Sequence, residues 1–219
     1  MPPANTNTTA TANGTRRRLI DVAERLFAEQ GIHATSLREI AAAADQRNTS
    51  AVAYHFGTKR GLIDAIYEDR LTVTTARQLE LLEAIDAQGR GRELRALTGV
   101  LVRPMVERLE DPERPSWFLR FVVNAMYVEG IAPDDLRAHP WTRGLLRLHS
   151  RITRCMPELP DRIRENRWDF FIGLLLHTLA QRERALQAGA DPGEPRLLAA
   201  DLVDAGVAVL TAEVSEKPW

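Results

Sequence analysis

Cysteine is nearly absent from this sequence of 219 residues. Cys155 is the only cysteine, and it has no partner for a disulfide within the chain. A small secreted scaffold held together by disulfides is therefore excluded. The content of 44% hydrophobic and 27% charged residues is instead typical of a globular protein with a sizeable core.

Long apolar runs are absent as well. The longest nearly apolar stretch, 170–180, is interrupted by Gly173, His177 and Thr178, and it is far shorter than the roughly 20 residues that a bilayer requires. Residues 1–13 lack the apolar segment of a secretion signal. We therefore expect no membrane association and a cytoplasmic location.

Motifs for catalysis and metal binding are also missing. The sequence contains no HExxH pair, no glycine-rich phosphate loop and no G-x-S-x-G motif. The five histidines are scattered along the chain: His33, His55, His139, His149 and His177. We expect no catalytic residue, no metal and no cofactor, although an active site assembled from dispersed residues is left open.

Charge is distributed unevenly along the chain. Residues 1–62 hold eight basic and five acidic groups, a net charge of +3, whereas the remainder holds 21 basic and 25 acidic groups, a net charge of -4. A basic first quarter on an acidic body favours a polyanionic partner at one end of the molecule.

The N-terminal quarter has the pattern of three short helices. Residues 1–14 contain few bulky apolar side chains and are predicted to be a disordered tail. Apolar residues at helical spacing then predict a first helix over 15–30. Ser36 and Glu39 form a capping box that opens a second helix, and a third ends at Phe56 before Gly57. This order indicates a helix-turn-helix unit over 15–60.

The remaining sequence, 61–214, predicts a larger helical bundle. No segment alternates with period two, so the fold class is all-α. Pro104 lies inside one helical pattern and is expected to kink it. Glycine and proline breaks delimit helices near 59–88, 91–110, 115–129, 141–156, 160–188 and 195–214.

The start of the third helix has side chains that suit DNA. In a helix-turn-helix the second helix enters the major groove, where arginine pairs with guanine and asparagine with adenine. Later donors on such a helix meet phosphate oxygens. The candidate contacts are Arg47, Asn48, Thr49, Ser50, Ala51, Val52, Tyr54, His55 and Lys59. The same Asn-Thr-Ser segment also suits an ordinary helix cap, and Tyr54 suits a core position.

Three blocks of sequence carry a resemblance to a known family. Residues 20–31, 35–44 and 51–62, read as IDVAERLFAEQG, TSLREIAAAA and AVAYHFGTKRGL, resemble the N-terminal domain of the TetR family of bacterial transcriptional regulators. The turn between the second and third helices is about one residue longer than is common in that family. Ala53 also stands where the family often has tyrosine.

The resemblance implies a helix-turn-helix domain on a helical domain that binds a ligand and forms a homodimer on a palindromic operator. It also implies DNA contacts by Ser36 and Arg38 on the second helix, together with 48–52, Tyr54, His55 and Lys59. A small-molecule effector would bind in the body and change the spacing of the two DNA-binding domains.

Aromatic and polar residues of the body suit a hydrophobic or aromatic effector. The candidate pocket residues are Trp117, Phe121, Asn124, Tyr127, Trp141, His149, Phe170 and His177. Each of the aromatic residues also suits an ordinary core position at helical spacing.

The last two predicted helices carry apolar stripes suited to a four-helix interface between two protomers. The candidate interface residues are Trp168, Ile172, Leu176, Leu198, Leu202 and Leu210. A core within one chain has the same pattern. The sequence thus favours a ligand-responsive repressor that binds DNA as a homodimer. The alternatives are an all-α enzyme or cofactor-binding protein with a helix-turn-helix-like N-terminus, and a purely structural helical dimer.

Overall fold

The N-terminal third of the chain forms four helices that enclose the first of two cores. In the computed structural model, which describes residues 6–46, 50–111, 114–126 and 137–214, these helices are α1 (Thr6–Gln30), α2 (Leu37–Ala43), α3 (Ser50–Phe56) and α4 (Lys59–Ala87). α1 begins upstream of the predicted start and includes residues 6–14, where the sequence predicted a disordered tail. No proline occurs between Thr6 and Gln30, so the helix can extend through the Ala and Thr residues at its start.

The body consists of five further helices. They are α5 (Leu94–Leu109), α6 (Phe118–Ala125), α7 (Arg143–Cys155), α8 (Asp161–Gln187) and α9 (Pro195–Thr211), and a 3₁₀ turn at Pro140–Thr142 leads into α7. No strand occurs in any of the described ranges. The predicted all-α fold is therefore confirmed. α5 continues through Pro104, and part of the helix predicted over 115–129 falls outside the described residues.

Helix ends follow from local chemistry. Ser36 Oγ accepts a hydrogen bond from the Glu39 N–H at 3.1 Å, and the Ser36 N–H donates to Glu39 Oε2 at 3.5 Å, which is the predicted capping box. Thr58 caps α4 by accepting from the Gly61 N–H at 3.0 Å. Gly31, at φ +87°, ends α1 in a conformation that favours glycine.

The two cores do not meet at the boundary predicted near residue 60. The first core combines side chains of α1 to α4 with Phe121 and Ala125 of α6 and with Trp141. The second core lies among α5, α7, α8 and α9 and includes Leu82 of α4. α4 therefore contributes to both cores and connects the N-terminal unit to the body.

Candidate nucleic-acid interface

Helices α2 and α3 are held against α1 by small and branched apolar side chains. Ile40, Ala41 and Ala44 of the α2 segment are fully buried, and Val52 anchors α3 with only 1% of its surface exposed. Asp45 makes the turn between α2 and α3 at φ +56°, a left-handed conformation that aspartate tolerates better than most residues. The opposite sides of both helices face solvent.

The solvent-facing side of this unit carries polar groups. Ser36 and Arg38 are exposed in the first turn of α2. Tyr54 of α3 is 84% exposed, and its ring meets the edge of His55 at a centroid distance of 5.1 Å. An exposed tyrosine beside a half-buried histidine offers hydrogen-bond donors on the face that a DNA groove would meet.

Lys59 lies at the start of α4 and is drawn toward α1. Its Nζ is 5.7 Å from the ring centroid of Phe27, and partial burial lowers the pKa of Lys59 below its ordinary value. Arg16 of α1 lies similarly over the ring of Phe56, at 5.5 Å. These cation–π contacts place two positive charges at the edge of the helix-turn-helix unit.

The predicted DNA contacts differ in where the structure places them. Ser36, Arg38, Tyr54, His55 and Lys59 lie on exposed or half-buried parts of α2, α3 and the start of α4, and their contact with DNA stays a prediction. Outside the described residues lie Arg47, Asn48 and Thr49, as does the side chain of Ser50.

Among the predicted contacts on α3, Ala51 is half-buried, whereas the prediction for Val52 is wrong. The Val52 side chain is enclosed in the first core and cannot reach a DNA groove without unfolding α3.

Polar contacts tie α1 firmly to the body. The carboxylate of Glu24 accepts two hydrogen bonds from Arg70 of α4 and a third from the Trp117 N–H at 3.0 Å. The side-chain amide of Asn124, on α6, donates to the carbonyl oxygens of Phe27 and Ala28 at 2.8 and 3.2 Å. Direct hydrogen bonds therefore join α6 and the segment before it to α1, the first helix of the helix-turn-helix unit.

A second buried carboxylate fixes the start of α6. Glu183 of α8 is 1% exposed and accepts hydrogen bonds from the Leu119 and Arg120 N–H groups and from the Ser116 hydroxyl, at 3.0–3.1 Å. Burial raises the pKa of Glu183 above its ordinary value.

The sequence analysis did not identify Glu24 as a structural residue. Glu24 is an acid within the apolar stripe of α1, which could have indicated a buried charge, but nothing near it in the sequence indicated its partner.

The residues of the predicted effector pocket do not form one pocket. Phe121 is fully buried in the first core, with its ring centroid 6.1 Å from that of Phe27. Trp141 is stacked on Tyr67 in the same core at 5.8 Å, and Trp117 packs against that core. The amide of Asn124 is used by the α1 carbonyls. The prediction is wrong for Phe121, because its side chain fills a core. For Trp117, Asn124 and Trp141 a contact with a ligand stays a prediction.

The other predicted pocket residues lie elsewhere. His149 packs edge-on against Trp168 at 4.7 Å near the second core, and burial lowers its pKa below the ordinary 6.5. Phe170 is 65% exposed and His177 is also exposed, both on α8. Tyr127 lies outside the described residues.

Two cavities occur elsewhere in the described part of the molecule. One of about 480 Å³ lies between the N-terminal unit and the body, where His55, Asp64 and Trp141 are part of its wall. The other, of about 720 Å³, lies between the end of α4, α5 and the start of α9. Both volumes fall in the range of small-molecule sites.

The predicted dimer residues are mostly turned inward. Leu202 and Leu210 are 4% and 0% exposed within the second core and are unavailable to a partner. Half-buried against the same core are Trp168, Ile172, Leu176 and Leu198. Gly206 packs on Phe171 within the chain, and an added Cβ would lie 2.4 Å from that ring.

Other apolar side chains of α8 and α9 are exposed. Phe170, Leu174 and Leu197 expose 65%, 38% and 70% of their surface. Gly173, between the two α8 residues, has open space around its Cα. The predicted residues therefore lie on buried or half-buried sides of α8 and α9, and the dimer interface stays a prediction.

The described residues contain no group of three or more metal-ligating side chains. Over the same ranges, no helix has the length and apolar character needed to cross a bilayer.

Sequence comparisons point to bacterial regulators. Residues 19–66 match the family described as bacterial regulatory proteins, tetR family. The chain is 35% identical over 103 residues to the HTH-type transcriptional regulator AcrR of Shigella flexneri, covering 47% of this chain and 46% of AcrR. It is 31% identical over 110 residues to the HTH-type transcriptional repressor KstR2 of Rhodococcus jostii (strain RHA1), covering 50% of each. The similarity thus spans about half the length of these curated relatives.

Comparison with solved structures agrees on the fold. NalD, the secondary repressor of the MexAB-OprM multidrug efflux pump in Pseudomonas aeruginosa, superposes with a TM-score of 0.59 at 20% identity, over 94% of this chain and 100% of NalD. The TetR family transcriptional regulator PfmR from Thermus thermophilus gives 0.51 at 17% identity, over 90% and 97% of the two chains. The resemblance inferred from the three sequence blocks is confirmed.

Proposed function

Residues 19–66 match the family described as bacterial regulatory proteins, tetR family, and from this match we propose that the chain is a helix-turn-helix regulator of that family: a ligand-responsive repressor that binds a palindromic operator as a homodimer in the bacterial cytoplasm. The observation that carries the proposal is the compact α1–α3 unit. The apolar side of this unit packs in the first core, and its opposite side exposes Ser36, Arg38 and Tyr54 to solvent. The proposal assigns no catalytic step to the chain.

The short third helix supports major-groove binding. α3 has seven residues, so it has room for one apolar anchor, Val52, and for one outward face. In this proposal α3 enters the groove, the N-terminus of α2 meets a phosphate, and Lys59 meets the backbone beyond the groove. These contacts would fix the register of the protein on the duplex, while base readout would fall to residues near the start of α3.

A homodimer would join two such units on one palindrome. Phe170 and Leu174, one turn apart on α8, and Leu197 on α9 are exposed apolar side chains, and an isologous contact across a two-fold axis would bury such side chains of both protomers. Two protomers would contribute α8 and α9 each and bury these side chains in a four-helix arrangement.

Ligand response requires a path from the body to α1. That path is supported by Glu183, which holds the start of α6, and by Asn124, which holds the end of α1. A ligand that favours one position of α6 would favour one orientation of the DNA-binding unit. The resulting change in operator affinity would be set by the difference between the ligand's affinities for the two conformations of the protein.

Selection from a random DNA pool tests the proposal. The purified full chain is incubated with random duplexes at two salt concentrations, and bound sequences are enriched and read. We expect a palindrome, bound with two protomers per duplex and with an affinity that falls steeply with salt. Equal binding to every sequence, or enrichment of no inverted repeat, would contradict the proposal.

A further inference from the structure

The larger cavity has an apolar floor and a charged rim. It is an open groove of about 720 Å³ between the C-terminal part of α4, one face of α5 and the first turns of α9, and we name it the arginine groove. Its floor is formed by Leu81, Ile85, Val100, Val106, Ala199 and Val203. Apolar surface of this extent favours an occupant with a hydrocarbon part.

Both acidic residues of the groove are neutralised by arginines from outside it. Glu107 lies 3.5 Å from Arg77, measured from Oε2 to Nε. Glu110 lies 2.6 Å from Arg182, measured from Oε1 to Nε. Neither Arg77 nor Arg182 lines the groove. The two carboxylates therefore do little to attract a cationic occupant.

Two of the four arginines that line the groove are also paired. Arg90 donates to Glu93 at 2.9 Å, and Arg95 pairs with Asp204 of α9. These pairs are exposed and link neighbouring elements of the rim. Their positive charges are locally balanced.

The other two arginines, Arg103 and Arg196, are left without a carboxylate. Both are exposed at the rim, on α5 and α9, and neither guanidinium pairs with an acid in the part of the chain that the structure describes. The groove therefore carries two uncompensated positive charges beside an apolar floor. Guanidinium groups bind carboxylate and phosphate oxygens with directed, charge-assisted hydrogen bonds.

We propose that the arginine groove binds an anionic amphiphile whose carboxylate or phosphate head lies between Arg103 and Arg196 and whose alkyl part lies on the apolar floor. The two charges select the head, and the floor, which includes no aromatic side chain, suits a chain better than a flat ring system. Of the two effector classes that the sequence predicts, hydrophobic and aromatic, the groove favours the hydrophobic one.

The floor has room for such a chain at Gly99. A Cβ added there would meet only the Arg103 guanidinium, at 3.7 Å, so a larger side chain at this position would project into the groove without striking the backbone. The site also includes Leu81 and Ile85 of α4, the helix that begins beside the DNA-binding unit. The proposed binding depends only on the residues of the arginine groove. A role of the groove as the effector site also rests on the function proposed above.

Calorimetric titration of the full chain tests the site with probes below their micelle-forming concentrations. The probes are decanoate, decyl phosphate, decanol and decyltrimethylammonium. The test variants are the double substitution Arg103→Gln with Arg196→Gln, and Gly99→Leu as a steric block whose helicity is checked by circular dichroism. Arg147→Gln, at an exposed arginine of α7 that does not line the groove, is the matched control.

We expect decanoate or decyl phosphate to bind once per chain and the other two probes to bind about tenfold more weakly or not at all. The double variant should bind decanoate or decyl phosphate about tenfold more weakly or worse, since it loses the charge-assisted hydrogen bonds of both guanidinium groups. Gly99→Leu should prevent binding, and Arg147→Gln should not alter it. Preference between the two anions distinguishes a carboxylate ligand from a phosphate ligand. Equal binding of decanol, wild-type affinity in the double variant, or binding of neither anion would overturn the site.

A separate DNA measurement keeps the two proposals distinguishable. If decanoate binds as expected but no palindrome is enriched, the site stands and the regulatory function fails. If the palindrome is enriched but neither anion binds, the function stands and the site fails. A change in operator affinity on adding the bound anion, absent in the double variant, would connect the two.

Discussion

The carboxylate of Glu24 and the guanidinium of Arg70 form a bidentate ion pair shielded from water. The two hydrogen bonds measure 2.5 and 2.7 Å, and the side chains are 0% and 3% exposed. Burial raises the pKa of Glu24, and the charge of Arg70 acts in the opposite direction. This pair joins α1, which carries the DNA-binding unit, to α4.

Removing one partner of this pair should destabilise the protein strongly. Arg70→Met leaves the Glu24 carboxylate buried with the Trp117 N–H as its remaining donor, and we expect a loss of about 3–5 kcal/mol in the free energy of unfolding measured with urea. Adding Glu24→Leu should recover most of that loss, because no unpaired charge then remains. A double variant as unstable as Arg70→Met would contradict this account.

The left-handed backbone at Asp45 predicts an order of stability. Asp45→Gly should be more stable than Asp45→Ala by about 1–2 kcal/mol, because glycine adopts positive φ without steric cost. The exposed ion pair between Arg18 and Asp45 contributes little, so Arg18→Ala serves as control and should change the unfolding free energy only slightly. Thermal unfolding followed by circular dichroism measures all three. Equal stability of the glycine and alanine variants would contradict the prediction, because it would mean that the backbone at position 45 does not keep its positive φ in the alanine variant.

Lys59 should contribute one phosphate contact. We expect Lys59→Ala to weaken operator binding and to lower the slope of log affinity against log salt by about one. Arg147→Ala removes an exposed cation from α7 and should leave both quantities unchanged. The measurement is fluorescence anisotropy of the selected operator at several salt concentrations. An unchanged slope in Lys59→Ala would exclude the contact.

Leu174 should be essential for dimerisation. Leu174→Glu places a charge on the exposed face of α8, where a partner would bury it without compensation, and we expect monomers in sedimentation-velocity experiments. Leu145→Glu is a matched control, since Leu145 of α7 is 37% exposed and Leu174 is 38% exposed. Dimers in Leu174→Glu, or monomers in both variants, would contradict the placement of the interface at Leu174.

His149 should make stability depend on pH. Its pKa in the folded protein is lowered from 6.5, first by burial and then by Arg137, against the opposing charges of Asp169 and Glu165. The unfolded chain therefore binds more protons just below pH 6.5, and stability falls as the pH decreases through 6.5 toward the folded-state value. His149→Phe keeps the contact with Trp168 and removes this contribution. Urea unfolding at about pH 5.5 and about pH 7.5 should give a smaller difference for the variant; the same difference as wild type would contradict the assignment.

Helices were predictable because their signals are local. Apolar spacing, the capping box at Ser36 and the glycine at 31 all act within a few residues, and the observed helix bounds follow them closely. The start of α1 was missed because low hydrophobicity was interpreted as disorder. Weak burial does not by itself end a helix that already extends from a packed segment.

The burial of the predicted pocket and dimer residues was not predictable from periodicity alone. An aromatic residue such as Phe121 follows the same spacing whether it lines a cavity or fills a core, and Leu202 follows the same spacing on an inward or an outward face. Which neighbour a helix face meets depends on residues far away in sequence. The arginine groove shows the same limit: Arg103 and Arg196 are separated by most of the body and converge only in the fold.

The attachment of α1 has a consequence for engineering chimeric regulators. Three groups from segments beyond residue 60 donate hydrogen bonds to α1. They are the Arg70 guanidinium, the Trp117 N–H and the side-chain amide of Asn124. A graft of residues 15–60 onto another body would leave Glu24 buried without a counter-charge and would expose the carbonyls at the end of α1. Under the proposed function, an exchange of DNA specificity would therefore replace the α2–α3 surface and keep α1 of the recipient.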